Sequence, residues 1–192
     1  MKKLMDVDNN HDSNYIATHE FSRSGYRKLR KQAETGDVVK LRNGLYATEE
    51  ALANTVVDVE KIVPRGVVCL YSAWEYHELT TQVPDAVYVA IDRKRKVTLP
   101  QWPAVRLVYQ SKEILDIGVQ ECEWQGYRMR MYDAERSVCD AVKYRNKAGI
   151  DVMSEILGAY LARPDRNIER LRLYAERLRI ASVLKKYLEV KL

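Results

Sequence analysis

Residues 15–46 read YIATHEFSRSGYRKLRKQAETGDVVKLRNGLY, and this stretch decides the fold. Thr18 can cap a short helix through Glu20 and Phe21. Ser22 or Ser24 can cap a second helix running to about Ala33, because a hydroxyl oxygen there accepts from a free first-turn amide. Thr35-Gly36-Asp37 breaks the helical pattern. Val38-Val39-Lys40-Leu41, the turn Arg42-Asn43-Gly44 and Leu45-Tyr46-Ala47 follow as a β-hairpin. Asn-Gly between two apolar runs predicts a type I′ turn, which needs positive φ at both central residues. Helix, tight turn, helix and hairpin is the order of a winged helix-turn-helix.

The second helix suits duplex DNA. From about Ser24 to Ala33 it is ~15 Å long, and it would enter a major groove ~12 Å wide. Arg23, Arg27, Lys28, Arg30 and Lys31 supply its charge, with no acidic residue between Phe21 and Ala33. Positions 23, 27 and 31 are one turn apart and share a face. Leu29 and Ala33, with Tyr26, can supply the inward stripe. Ser24 and Tyr26 lie near the N-terminus, where base or phosphate contacts arise. Lys40, Arg42 and Asn43 put further polar and charged groups on the hairpin tip, where a wing reaches the adjacent backbone or minor groove. The same residues also fit a solvated basic helix beside an ordinary hairpin. The remaining helix of a three-helix core must come from residues 1–14, or the next helix must cover that flank.

That next helix is expected from Glu49 to about Val63, with Leu52, Val56, Val59 and Val63 at spacings of three and four, ending near Pro64-Arg65-Gly66. Three segments are therefore expected. Residues 1–14 are a flexible stretch or a short helix, 15–63 a DNA-binding domain with its connecting helix, and 64–192 a larger domain. In the larger domain Val67–Tyr71 is a short buried segment, and Ser72 caps a helix through Leu79. Ala86–Ile91 and Val105–Tyr109 are strands, and Gly118–Trp124 with Tyr127–Met131 forms a hairpin across Gln125-Gly126. After Asp133 the period changes from two to about 3.6. Four helices are lined in turn by Val138, Ala141 and Val142; by Ile150, Met153, Ile156, Leu157, Tyr160 and Leu161; by Ile168, Leu171, Tyr174 and Leu178; and by Val183, Leu184, Tyr187 and Leu188. The fold class is α+β with a helical C-terminal half.

The chain has 192 residues, 46% hydrophobic and 31% charged, enough to bury a sizeable core. No run approaches the ~18 apolar residues of a membrane span, and MKKLMDVDNNHD has no apolar core for a secretory signal. A cytoplasmic location with no membrane partner is the expectation. Cys69, Cys122 and Cys139, like His11, His19 and His77, are scattered without zinc spacing, so no metal and no cofactor is expected. The net charge of +5 is compatible with nucleic-acid binding without requiring it.

Catalytic readings have little support. Pro84-Asp85 followed by Asp92-Arg93-Lys94 satisfies a PD…(D/E)xK nuclease pattern formally, but that chemistry needs both carboxylates on one metal ion. The uninterrupted AVYVAI strand between them would hold them ~23 Å apart. Ser72 and His77, five apart on a helix, do not face each other, and no Walker A or GxGxxG loop is present.

With residues 15–46, two later motifs give the chain a family resemblance. VVCLYSAWEYHELTTQVPDAVYVAI carries Ser72, Ala73, His77, Leu79, Thr80 and Pro84 in order, and MYDAERSVCDAV carries Glu135, Arg136 and Asp140. Over roughly residues 15–190 the chain resembles AbiEi-type antitoxins of abortive-infection type IV toxin–antitoxin systems, with Glu78 where glycine is usual. The resemblance implies a transcriptional autorepressor of a two-gene operon, bound to double-stranded DNA at operator inverted repeats. It also implies a domain that counteracts a nucleotidyltransferase toxin without a stable complex. The expected state is a monomer or weak dimer, paired on DNA.

Ser72, His77, Glu135, Arg136 and Asp140 read as structural first. Ser72 caps its helix, His77 sits near a helix C-terminus that favours a positive group, and the other three pin helix to sheet. Direct antitoxin contact is the alternative. A second basic surface is expected from Arg163, Arg166, Arg170, Arg172, Arg177, Arg179, Lys185 and Lys186, diluted by Asp165, Glu169 and Glu176. It is either a solvated face or a second contact to flanking DNA or RNA. An RNA-binding or protein-interaction module with a degenerate winged helix is the competing function class.

Overall fold

Strand composition explains the architecture of the computed structural model, which describes residues 14–53 and 57–191. The strands include nearly continuous apolar runs, Val67–Val68 and Val87–Ile91, as coverage on both faces requires, and an alternating one, Tyr127–Tyr132, with arginines between its apolar residues. They form a five-stranded sheet from β4 (Val67–Val68), β5 (Val87–Asp92), β6 (Val105–Gln110), β7 (Val119–Trp124) and β8 (Tyr127–Tyr132), in the order β6-β5-β4-β8-β7. The pairs β5–β6 and β4–β8 are parallel, whereas β4–β5 and β7–β8 are antiparallel.

One face of this sheet meets the helical C-terminal half: α6 (Ala134–Lys143), α7 (Arg145–Ala148), α8 (Ile150–Ala162), α9 (Ile168–Arg177) and α10 (Ala181–Lys191). Val67, Ala90 and Tyr132 pack there with Val138, Val142, Met153, Ile156 and Leu171. Of the residues expected to line these helices, Ile150 and Ile168 stay exposed, because each is the first residue of its helix and precedes the packed turn.

The opposite face meets the N-terminal part of the chain. Its strands are β1 (Tyr15–Ala17), β2 (Val39–Arg42) and β3 (Leu45–Ala47), antiparallel and in the order β1-β3-β2. Tyr15, Ala17, Leu45 and Ala47 share one buried cluster with Val68, Val89, Ile91, Met129 and Met131 of the large sheet. Alternation along β5 divides the cores, Val87, Val89 and Ile91 facing this cluster while Ala90 faces the helices.

The structure corrects several local expectations. The short helix at Thr18 is a single 3-10 turn, Thr18–Glu20, entered from β1 and without a side-chain cap. Only three residues separate the strand from Phe21, too few for an α-helix. The second helix, α1, spans Arg23–Thr35. Ser22 caps it by accepting from the Gly25 amide at 3.3 Å. The connecting helix is not continuous: α2 (Glu49–Ala53) and α3 (Val59–Ile62) are separate, and Val57-Asp58 is not helical. Asp58 accepts from Lys61 N and so starts a new helix. Val56, and all but the last of residues 1–14, lie outside the described residues.

The turn at Asn43-Gly44 is not type I′, since Gly44 alone has positive φ and a bulge in β2 takes up the register. The type I′ signature falls instead at Gln125-Gly126, both positive, joining β7 to β8. The helix expected from Ser72 to Leu79 is α4 (Leu70–Tyr76), which starts and ends earlier, and two short helices join the expected set, α5 (Lys112–Leu115) and α7.

Candidate nucleic-acid interface

Leu29 anchors α1. It is buried against Val38 and Tyr46, with Ile16 and Ala33 packed beside it. With ~100° between successive residues, Arg23, Arg27, Arg30 and Lys31 then fall on an arc of about 100° on the far side of the helix. All four are exposed, as are Ser24 and Lys28. Among the described residues no carboxylate pairs with Arg23, Arg27, Lys28 or Lys31. Arg30 meets Glu34 one turn on, at 4.0 Å with both side chains in solvent. Such a pair contributes little and yields to a stronger anion.

Tyr26 is not part of the inward stripe. It is 41% exposed and stands between two grooves that flank α1. One groove, between the helix and β2–β3, is lined by Tyr26, Arg30, Ala33, Glu34, Lys40 and Tyr46. The other is lined by Thr18, Phe21, Ser22, Arg23, Tyr26, Arg27 and Arg30. Beneath the first, burial pushes the Tyr46 phenol above its ordinary range, with Tyr26 beside it adding to the effect.

Lys40 and Asn43 are exposed on the hairpin, as expected. Arg42 is not available. It is half-buried, and its Nη2 donates to the Ile62 carbonyl at 3.2 Å, tying the hairpin to the end of α3. A helix-end carbonyl lacks an intrahelical partner, and Arg42 turns in to satisfy the one at Ile62.

In the C-terminal basic surface Arg163 and Arg170 are engaged by carboxylates at close range, whereas the pairs of Arg172 and Lys185 lie in solvent. Arg163 grips Asp165 through Nε and Nη2 at 3.0 and 2.8 Å while Nη1 donates to the His77 carbonyl. Arg170 Nη2 lies 2.9 Å from Glu135, which is almost fully buried. Arg166 donates to the Arg163 carbonyl, Arg172 pairs with Glu176 and Lys185 with Glu189. Arg177 and Lys186 are exposed and have no ion pair among the described residues.

Ser72, His77, Glu135, Arg136 and Asp140 are buried. Ser72 does not cap α4, which begins at Leu70. Its hydroxyl accepts from Tyr88 N at 3.1 Å and so fastens α4 to β5. His77 Nε2 donates to the Tyr132 carbonyl at 2.8 Å. Burial holds the imidazole below its ordinary pKa, so it is not the positive helix-end group the sequence suggested. Glu135 accepts from Tyr160 OH and Asn167 N, knitting α6, α8 and α9. Arg136 is fully buried. Nε donates to Asp140 at 3.1 Å, Nη1 to the Ile114 and Ile117 carbonyls, and the guanidinium carbon lies 4.1 Å from the Tyr132 ring centre. Burial raises the Asp140 carboxyl, with Arg136 and then Lys143 working against it.

Asp85 and Asp92 stand at opposite ends of β5, which stays paired with β6 from Val87 to Asp92. Asp85 is engaged by Arg106 and Tyr88, and Asp92 Oδ1 accepts from Lys94 N, so the structure brings neither to a shared site. Groove-lining Thr18, Phe21 and Tyr46 were not legible as site residues, because apolar and hydroxyl side chains carry no signal apart from the surface they frame. Among the described residues no helix is long and apolar enough to cross a membrane. No protein-family model matches the chain, and no curated protein matches it.

Proposed function

We propose that this protein is a sequence-specific double-stranded DNA binder, a winged-helix autorepressor that acts as the antitoxin of a type IV toxin–antitoxin system. The observation that carries the DNA-binding part is the outer face of α1, where Arg23, Arg27, Lys28 and Lys31 point to solvent with no carboxylate partner among the described residues, and Arg30 has only the exposed Glu34. The β1-β3-β2 order, with α1 between the first two strands in sequence, is that of a winged helix and supports the same reading. In it α1 enters the major groove, Ser24, Tyr26, Arg27 and Lys31 meet bases or phosphates, and Lys40 and Asn43 on the hairpin reach the neighbouring backbone. Arg42 plays no part. Two copies occupy an inverted repeat, one per half-site.

The antitoxin part rests on the resemblance at Ser72, His77, Glu135, Arg136 and Asp140. Burial of these side chains assigns them to holding the larger domain's shape, so a nucleotidyltransferase toxin would be opposed without their direct contact.

The test is binding of the protein to the DNA upstream of its own gene, with structured RNA as the comparison. Arg27→Glu with Lys31→Glu is expected to lower affinity by about tenfold or more and to flatten the salt dependence by about two counterions, with an unchanged circular dichroism spectrum. Unchanged affinity and salt slope in that variant would remove α1 as the recognition helix. Preference for the RNA would favour an RNA-binding module.

A further inference from the structure

The densest run of positive charge in the chain is Arg93-Lys94-Arg95-Lys96, outside α1 and outside the C-terminal helices. It forms the turn that leaves β5. Arg93 N donates to the Gln110 carbonyl at 2.9 Å, Lys94 N to Asp92 Oδ1, and Arg95 N to the Asp92 carbonyl. The backbone is thus pinned while the side chains are free. Arg93, Lys94 and Lys96 are exposed, and among the described residues none of the four pairs with a carboxylate.

The turn lies at the carboxyl ends of the parallel pair β5–β6, where open sheets form their binding crevices. Polar groups are already organised there. Gln110 is 2% exposed, and its amide donates to Tyr144 OH at 3.1 Å while accepting from Lys143 Nζ at 3.4 Å. Lys143 and Lys147 both lie near the Tyr144 ring, at 5.6 and 6.0 Å from its centre. Glu113 is the exposed acid nearby, with Arg93 and Lys94 in electrostatic reach. Lys143 is held below its ordinary pKa by burial, with Arg136 and Arg93 adding like-charge repulsion against Asp140. Cations here outnumber the carboxylates in reach, Glu113 and Asp140, and an external polyanion would relieve the excess.

We propose that the Arg93–Lys96 turn, with Lys143 and Lys147, is a second surface for the phosphodiester backbone of nucleic acid, separate from α1. A duplex carries one charge per ~1.7 Å of axis, a density that four consecutive cations can match and an isolated acidic side chain cannot. This surface does not depend on α1 reading an operator.

The test uses the full chain with two labelled probes, a short duplex of unrelated sequence and a stem-loop RNA, titrated over a salt series. Lys94→Glu with Lys96→Glu is expected to weaken at least one probe by about tenfold and to lower its salt slope by about two. Lys94→Gln with Lys96→Gln should give a smaller loss in the same direction, which separates lost charge from lost fold. Loss on the duplex alone identifies DNA as the source of the phosphates, and loss on RNA alone identifies RNA. Wild-type affinity and salt slope for both probes in both variants would overturn the proposal. The Arg27→Glu and Lys31→Glu variant is the control. If it keeps operator binding while the turn variants lose theirs, the α1 reading fails and this surface stands.

Discussion

His77 shows how a single residue can look functional and act structurally. A histidine near a helix end invites a charged role, but its ring is buried, bonded to the Tyr132 carbonyl and held below its ordinary pKa by desolvation. In the unfolded chain its pKa is about 6.5. The unfolded state therefore binds the proton more readily than the folded one. The stability this neutral ring contributes is present above about pH 6.5 and is lost as the pH falls through the unfolded and then the folded pKa. Denaturant unfolding at pH 7.5 and 5.5 is expected to show a loss of stability on acidification that is smaller in His77→Gln. Equal losses in the two proteins would place the titrating group elsewhere. Arg136 and Asp140 make the same point with charges. A guanidinium and a carboxylate both out of water persist because the guanidinium also meets the Ile114 carbonyl of α5, the Ile117 carbonyl just beyond it and the Tyr132 ring.

At the scale of elements, α1 is held by its ends and by one buried leucine. Ser22 caps the start, and Gly36 closes the other end at φ +83° with its amide bonded to the Gln32 carbonyl. A Cβ at Gly36 would meet nothing within 4 Å, so Gly36→Ala tests backbone strain alone. It is expected to cost about 1–2 kcal/mol, and Gly36→Asn less, because asparagine tolerates the left-handed region better. Chemical denaturation gives the cost, and faster amide exchange in the last turn of α1 gives its location. A neutral Gly36→Ala would mean that the helix ends elsewhere in solution. The same element shows why its face was readable and its neighbours were not. Leu29 and the 23, 27, 31 spacing define inside and outside from sequence. Whether Arg42 joined that face depended on the Ile62 carbonyl twenty residues away.

For the whole molecule, the decisive feature is the cluster that joins Tyr15, Leu45 and Ala47 to Val68, Val89 and Met131. The expected boundary near residue 64 separates two kinds of sequence pattern, yet buried side chains from both sides share one core. The intact protein is therefore expected to melt in a single cooperative transition by calorimetry, with residues 1–63 alone failing to fold because half of their core is missing. Two resolved transitions, or a folded fragment, would show that the halves are independent.

Sequence alone determined the α+β class, the placement of most strands and C-terminal helices, and the cationic face of α1. Each of these follows from local periodicity, capping and spacing, which act within a few residues. Only tertiary structure decided that the first short helix is a single turn, that Arg42, Arg163 and Arg170 are internal fasteners, and that Arg93–Lys96 stands free beside Lys143. Charges look alike along a chain. Whether one meets solvent, a carboxylate or an unsatisfied carbonyl depends on partners brought in from distant positions.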